Sequence, residues 1–212
     1  MKRHLISTSL CVLTILPSIA IAAGTATDDV TAVASLDLQR YAGQWYEIGR
    51  LPNRFQRDCE SDVTATYVLR EDGRIDVINR CKKNDGEMME ATGIARLASE
   101  EEPASKLKVR FAPAFTSFLP FVWADYWVIG LAPDYSYAVV GHPNREYLWI
   151  LSRTPTLDGR LYAEIIAGIA EQGFEVDSIV RTQQTPETGG RELKAEGFTE
   201  SDYSSCRDAG LN

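Results

Sequence analysis

Histidine is almost missing from this chain, with 2 in 212 residues, and cysteine is sparse at 4. One histidine, His4, lies at the extreme N-terminus, which leaves His142 for the rest of the chain. The cysteine spacings match no zinc pattern, so no metal site is expected. Basic residues are outnumbered, 22 against 30 acidic. That balance argues against nucleic acid and against simple docking on anionic lipid. Paired carboxylates, a glycine-rich phosphate loop and a nucleophile triad are all lacking, so no catalytic residue and no cofactor are assigned. Beyond the first residues, no stretch is long and apolar enough to span a membrane as a helix.

What is present begins with "MKRHLISTSLCVLTILPSIAIAAG". Lys2 and Arg3 precede an apolar run from Leu5 to Leu16, and Ala20-Ile21-Ala22 supplies small residues. This reads as a secretory signal over 1–22, cleaved after Ala22. Cys11 sits inside the apolar run after Leu10, a poor place for lipid attachment. The expected product is an exported protein, periplasmic or secreted.

Export permits disulfides. Cys59 and Cys81 flank one expected hairpin and form the natural pair. Cys206 lies in a polar tail and is the odd thiol.

Residues 23–35 read as a small, polar leader. "LDLQRYAG" suggests a short helical turn. Eight strand-like segments then follow between Trp45 and Arg153, with Asp72-Gly73 and Asp85-Gly86 as hairpin turns. Gly93 suggests a bend or bulge. Short, evenly spaced strands point to an antiparallel sandwich or barrel. The period then changes. Leu161, Ile165, Ile166 and Ile169 share a helical face between Asp158, a candidate N-cap, and Gly173, a candidate terminator. "DSIVRTQQ" suggests a last short strand. Residues 185–212 are polar and glycine-rich, as in a disordered tail. The domain itself is expected over 36–184.

Three separated segments carry a resemblance. They are Gly43-x-Trp45, "APDYSYAVV" with Asp134 and Tyr135, and "LWILSRTP" with Arg153. In order and spacing they resemble the signature regions of the lipocalin family. The runs "GQWYEIGRLPNRF" and "VTATYVLREDGRIDVINRC" are similar to the bacterial outer-membrane group, with the animal apolipoprotein D branch more distant. The resemblance implies an all-β fold, an eight-stranded antiparallel up-and-down barrel with one C-terminal α-helix packed outside. In such a barrel the three segments meet at one end. There Trp45 would plug the floor, Arg153 would stack across it, and Gly43 would let the backbone pass. Two features depart from the family pattern. Pro133 stands where many lipocalins have Thr, and the cleavage site lacks the lipoprotein cysteine.

A barrel of eight strands holds one small ligand. The resemblance implies a fatty acid or lysophospholipid, bound for transport or storage in the cell envelope. Strand alternation nominates Tyr67, Val77, Met89, Phe111, Tyr126, Val139 and Trp149 as its lining. A one-residue error of phase would turn any of these strands over. The aromatic loop at 113–123 falls at the open mouth, where it would make transient membrane contact or fold inward. The alternatives are an envelope scaffold without lipid and, less favoured, a haem or pigment binder using His142. Glu47 reads as a structural hydrogen-bond partner.

Overall fold

The computed structural model describes residues 29–112 and 119–185 of the chain. The signal expected over 1–22, the first part of the leader, residues 113–118 of the aromatic loop, and the tail beyond Thr185 with Cys206 lie outside the described residues.

A short helix α1 (Leu38–Tyr41) precedes eight strands. These are β1 (Gly43–Arg50), β2 (Cys59–Leu69), β3 (Ile75–Lys83), β4 (Met88–Leu97), β5 (Lys106–Arg110), β6 (Ala124–Leu131), β7 (Tyr137–Gly141) and β8 (Leu148–Ser152). Each pairs antiparallel with the next, and β1 pairs with both β2 and β8, which closes the barrel. Helix α2 (Gly159–Glu171) follows, then β9 (Val180–Arg181). The β1–β2 pairing stops at Tyr46 and Thr64, and β9 pairs β1 above it at Gly49 and Arg50. A short strand thus covers backbone that the barrel leaves unpaired.

Both Asp-Gly dipeptides form tight turns, with Gly73 at φ +77° and Gly86 at φ +85°. The aspartates fold back to accept from backbone N–H groups, Asp72 from Arg74 and Asp85 from Glu87, each at 3.0 Å. The bulge expected at Gly93 does not form, because the β3–β4 register runs unbroken from Ile75–Ala95 to Lys82–Met88. Gly93 supplies room instead. A Cβ there would lie 2.8 Å from the Phe111 ring and 2.7 Å from the Arg110 carbonyl oxygen.

Alternation divides the apolar side chains into two clusters. One fills the barrel interior around Trp45, Ala65, Tyr67, Val77, Leu107, Val128 and Leu151. The other lies between the outer wall and α2, with Ile48, Val139, Ile150, Ile165, Ile169 and Phe174. Val139 therefore faces the helix, which corrects its nomination as a lining residue. Its neighbours Ala138 and Val140 face inward. On a period of two, the sequence could not fix which alternate set pointed in.

The Asp158 side chain accepts from the Arg160 and Leu161 N–H groups at 2.9 and 3.1 Å, satisfying two orphan donors of α2. Residues 29–35, part of the expected leader, are pinned to the barrel. Val30 joins the outer cluster, and the Val33 N–H donates to the Val128 carbonyl at 2.8 Å.

Candidate functional site

Strand direction assigns the two ends. Gly43, the turns at 70–74, 98–105 and 132–136, and Arg153 lie at one end, while 51–58, 84–87, 111–112, 119–123 and 142–147 lie at the other. The first end is sealed. Trp45 is fully buried and donates its indole N–H to the Tyr41 carbonyl at 2.8 Å. The Arg153 guanidinium stacks over that indole, 3.7 Å from the ring centre. Its Nη1 donates to the Gln44 carbonyl at 2.8 Å. Its Nη2 is shared among the carbonyls of Arg40, Tyr41 and Ala42 at 2.7, 3.1 and 2.9 Å. These carbonyls end a helix of one turn and have no intrahelical partners, so a planar cation suits them. Gly43, at φ +93°, lets the chain pass, since a Cβ would lie 3.4 Å from Nη1.

The 132–136 turn completes this end. The Asp134 carboxylate accepts from the Ser136 N–H at 3.0 Å, and hydrogen bonding to Ser136 lowers its pKa. Tyr135, in the left-handed region at φ +65°, lies under the Arg40 guanidinium and accepts from the Asp37 N–H at 2.9 Å.

Above Trp45 three tyrosines meet. The Tyr126 hydroxyl lies 2.7 Å from that of Tyr41 and 2.8 Å from that of Tyr67. Burial raises the pKa of all three, pushing Tyr67 up to about 12. They are therefore neutral hydroxyls at any physiological pH.

Toward the other end the interior turns polar. The buried Glu47 carboxylate accepts from Arg50 Nη1 and Gln56 Nε2, both at 2.6 Å, and from the Thr182 hydroxyl. Gln56 in turn accepts from the Trp149 indole at 2.8 Å and from Asn53 at 2.9 Å. Glu47 is thus a tie between β1, the 51–58 loop and the segment around β9. The Cys59–Cys81 disulfide joins the start of β2 to the end of β3, Cα to Cα 5.6 Å.

Among the nominated lining residues, Tyr67 and Val77 belong to the inner cluster, and Tyr126 and Trp149 pack against it. Met89 shares the face of Cys81, its cross-strand partner near the second end. Phe111 lies just past β5 with its ring over Gly93. Val139 alone is on the outer side. His142 sits in a turn at the second end, where its Nδ1 accepts from the Asn144 N–H at 3.2 Å. No group of three metal-ligating side chains occurs among the described residues.

This second end carries an apolar rim. Phe121 is 80 % exposed, Met88 61 %, Phe55 59 % and Phe111 46 %. From Phe55 a run of rings leads inward through Tyr147 to Trp149, with centroid spacings of 5.7 and 6.1 Å. Tyr41, Phe55, Gln56 and Thr182 escaped sequence reasoning. Their loop or terminal positions carry no periodicity, and each has a partner far away in the chain, Tyr126 for Tyr41, Tyr147 for Phe55, Trp149 for Gln56 and Glu47 for Thr182.

The family model for a lipocalin-like domain matches residues 36–184. The chain is 39 % identical over 158 residues to temperature-induced lipocalin-1 of Arabidopsis thaliana, covering 74 % of this chain and 84 % of that one. It is 42 % identical over 156 residues to the outer membrane lipoprotein Blc of Escherichia coli strain K12, covering 73 % and 83 %. With mouse apolipoprotein D it shares 31 % identity, covering 71 % and 78 %. Insecticyanin from the tobacco hornworm Manduca sexta has a similar fold, with TM-score 0.57, 22 % identity, and coverage of 74 % and 86 %.

Proposed function

We propose that this chain, which belongs to the lipocalin-like domain family, binds a small hydrophobic ligand inside its barrel, a fatty acid or lysophospholipid, and carries or stores it in the cell envelope. The observation that carries the reading is the asymmetry of the two ends. One is closed by Trp45 and Arg153, while the other exposes Phe55, Met88, Phe111 and Phe121. An apolar rim at one mouth and a sealed floor at the other suit a molecule that enters from lipid and is shielded from water. Each methylene taken from water contributes roughly 0.8 kcal/mol, so an acyl chain needs few polar contacts. The chemistry is binding rather than catalysis. Glu47 is committed to three donors, and His142 lies in a turn. An envelope location is supported by the outer membrane lipoproteins among the relatives. The rim, with the loop at 113–123, would make the transient membrane contact.

The test is a fluorescence titration of delipidated protein, residues 23–212, with a fluorescent fatty acid, followed by displacement with lysophospholipid. Saturable one-to-one binding is expected. Val109→Trp, which places a bulky ring in the inner cluster, should weaken it at least about tenfold while circular dichroism still reports a folded barrel. A folded wild-type protein that binds neither lipid at micromolar concentration overturns the reading and favours an envelope scaffold.

A further inference from the structure

Asn79 lies in the middle of β3, opposite Ala65 of β2 on one side and Ala91 of β4 on the other. Side chains alternate along a strand, so Asn79 shares a face with Ile75 and Val77, both of the inner cluster. Ala65 belongs to that cluster too. The next residue, Arg80, takes the outer face, where it donates to Glu90 at 2.7 Å. An amide therefore stands on the inner wall between two small side chains.

This amide is unengaged. Its side chain makes no hydrogen bond among the described residues. The other polar groups of the interior are taken: Tyr41 and Tyr67 by Tyr126, Glu47 by Arg50, Gln56 and Thr182, and the Trp149 indole by Gln56. Asn79 is half-buried, and its unbonded oxygen and nitrogen are not among the buried atoms that lack a partner, so water reaches them. Ala91 is exposed although it stands on the inner face, so the interior is accessible beside the amide.

The chemistry of the amide limits what can replace that water. It offers two N–H donors and an accepting oxygen. A hydrocarbon chain laid on it would drive the water off and strand both, which costs more than the bond is worth in water. A carboxylate only accepts, and leaves the amide oxygen without a donor. A hydroxyl both donates and accepts, so one such group answers both halves of the amide. A site that hydrogen-bonds a hydroxyl rejects the analogue lacking it. Depth fits as well. Asn79 is four residues before Lys83, where β3 ends, about 13 Å at the rise of a strand. In a lysophospholipid the glycerol hydroxyl lies between the phosphate and the acyl chain. Seating it at Asn79 leaves the charged phosphate on the side of the second end.

We infer that Asn79 is a ligand-specificity residue, donating to and accepting from a hydroxyl of the bound lipid, the glycerol hydroxyl of a lysophospholipid. This rests on the lipid-binding reading above and narrows it.

The experiment displaces a fluorescent fatty acid from the delipidated protein with palmitoyl lysophosphatidylcholine and with the same lipid lacking the glycerol hydroxyl. The hydroxyl form should bind about tenfold tighter, the size of one buried hydrogen bond. In Asn79→Leu, with folding checked by circular dichroism, the ratio of the two affinities should fall to about one while the probe still binds. Asn79→Ala should give the same ratio without adding bulk. Equal affinities in the wild type, or a ratio that survives both substitutions, overturns the role of Asn79, and saturable probe binding then leaves the lipid reading standing. If the probe itself does not bind to folded wild-type protein, both readings fall.

Discussion

Arg153 shows how much one side chain can organise. Its guanidinium covers the indole of Trp45 and closes four backbone carbonyls from residues 40, 41, 42 and 44. Losing it uncovers the plug and strands those acceptors at once. Arg153→Met should therefore cost about 2–3 kcal/mol, read as a lower urea midpoint. Arg153→Lys should recover only part of this, because an ammonium cannot span a fork of acceptors or stack flat on an indole. A midpoint unchanged in Arg153→Met would show that Trp45 seals the end unaided. The residue was legible in the sequence through its place after the eighth strand. Its four acceptors were not, because they belong to the end of α1 and the start of β1, more than 100 residues earlier.

At the level of elements, the tie between β2 and β3 carries a measurable share of stability. The Cys59–Cys81 bridge spans 22 residues. A loop of that length restricts the unfolded chain enough to contribute about 3 kcal/mol in the loop-entropy account. The Cys59→Ser, Cys81→Ser double variant should unfold at correspondingly lower urea while keeping the circular dichroism of the barrel. Loss of less than about 1 kcal/mol would mean that the reduced unfolded chain keeps this hairpin. The hairpin was readable because Asp72-Gly73 and two flanking cysteines lie close in sequence. The phase of β7 was not. "YAVVG" is apolar throughout, and both of its faces are buried, Ala138 and Val140 inside and Val139 under α2. A strand buried on two sides gives no polar residue to mark the outer face.

For the whole molecule the decisive feature is the contrast between the two ends of the barrel. The acidic chain has 30 acidic against 22 basic residues, so membrane attraction should be apolar rather than electrostatic. The protein should float with neutral phosphatidylcholine vesicles with little dependence on salt. Phe121→Ser should weaken flotation about tenfold, the scale of one buried aromatic ring. Binding that needs anionic lipid and vanishes in salt would rule out the rim as the contact. The sequence by itself determined that the chain makes eight successive strands, tight Asp-Gly turns, one amphipathic helix after them and a likeness to one family. Those are local periodicities and short motifs, which neighbouring residues dictate. Only the tertiary structure decided which alternate side chains face inward, that Gln56 and Thr182 meet Glu47, and that Tyr41, Tyr67 and Tyr126 join their hydroxyls. The physical reason is closure: when β1 pairs with both β2 and β8, it brings together groups that no period in the sequence relates.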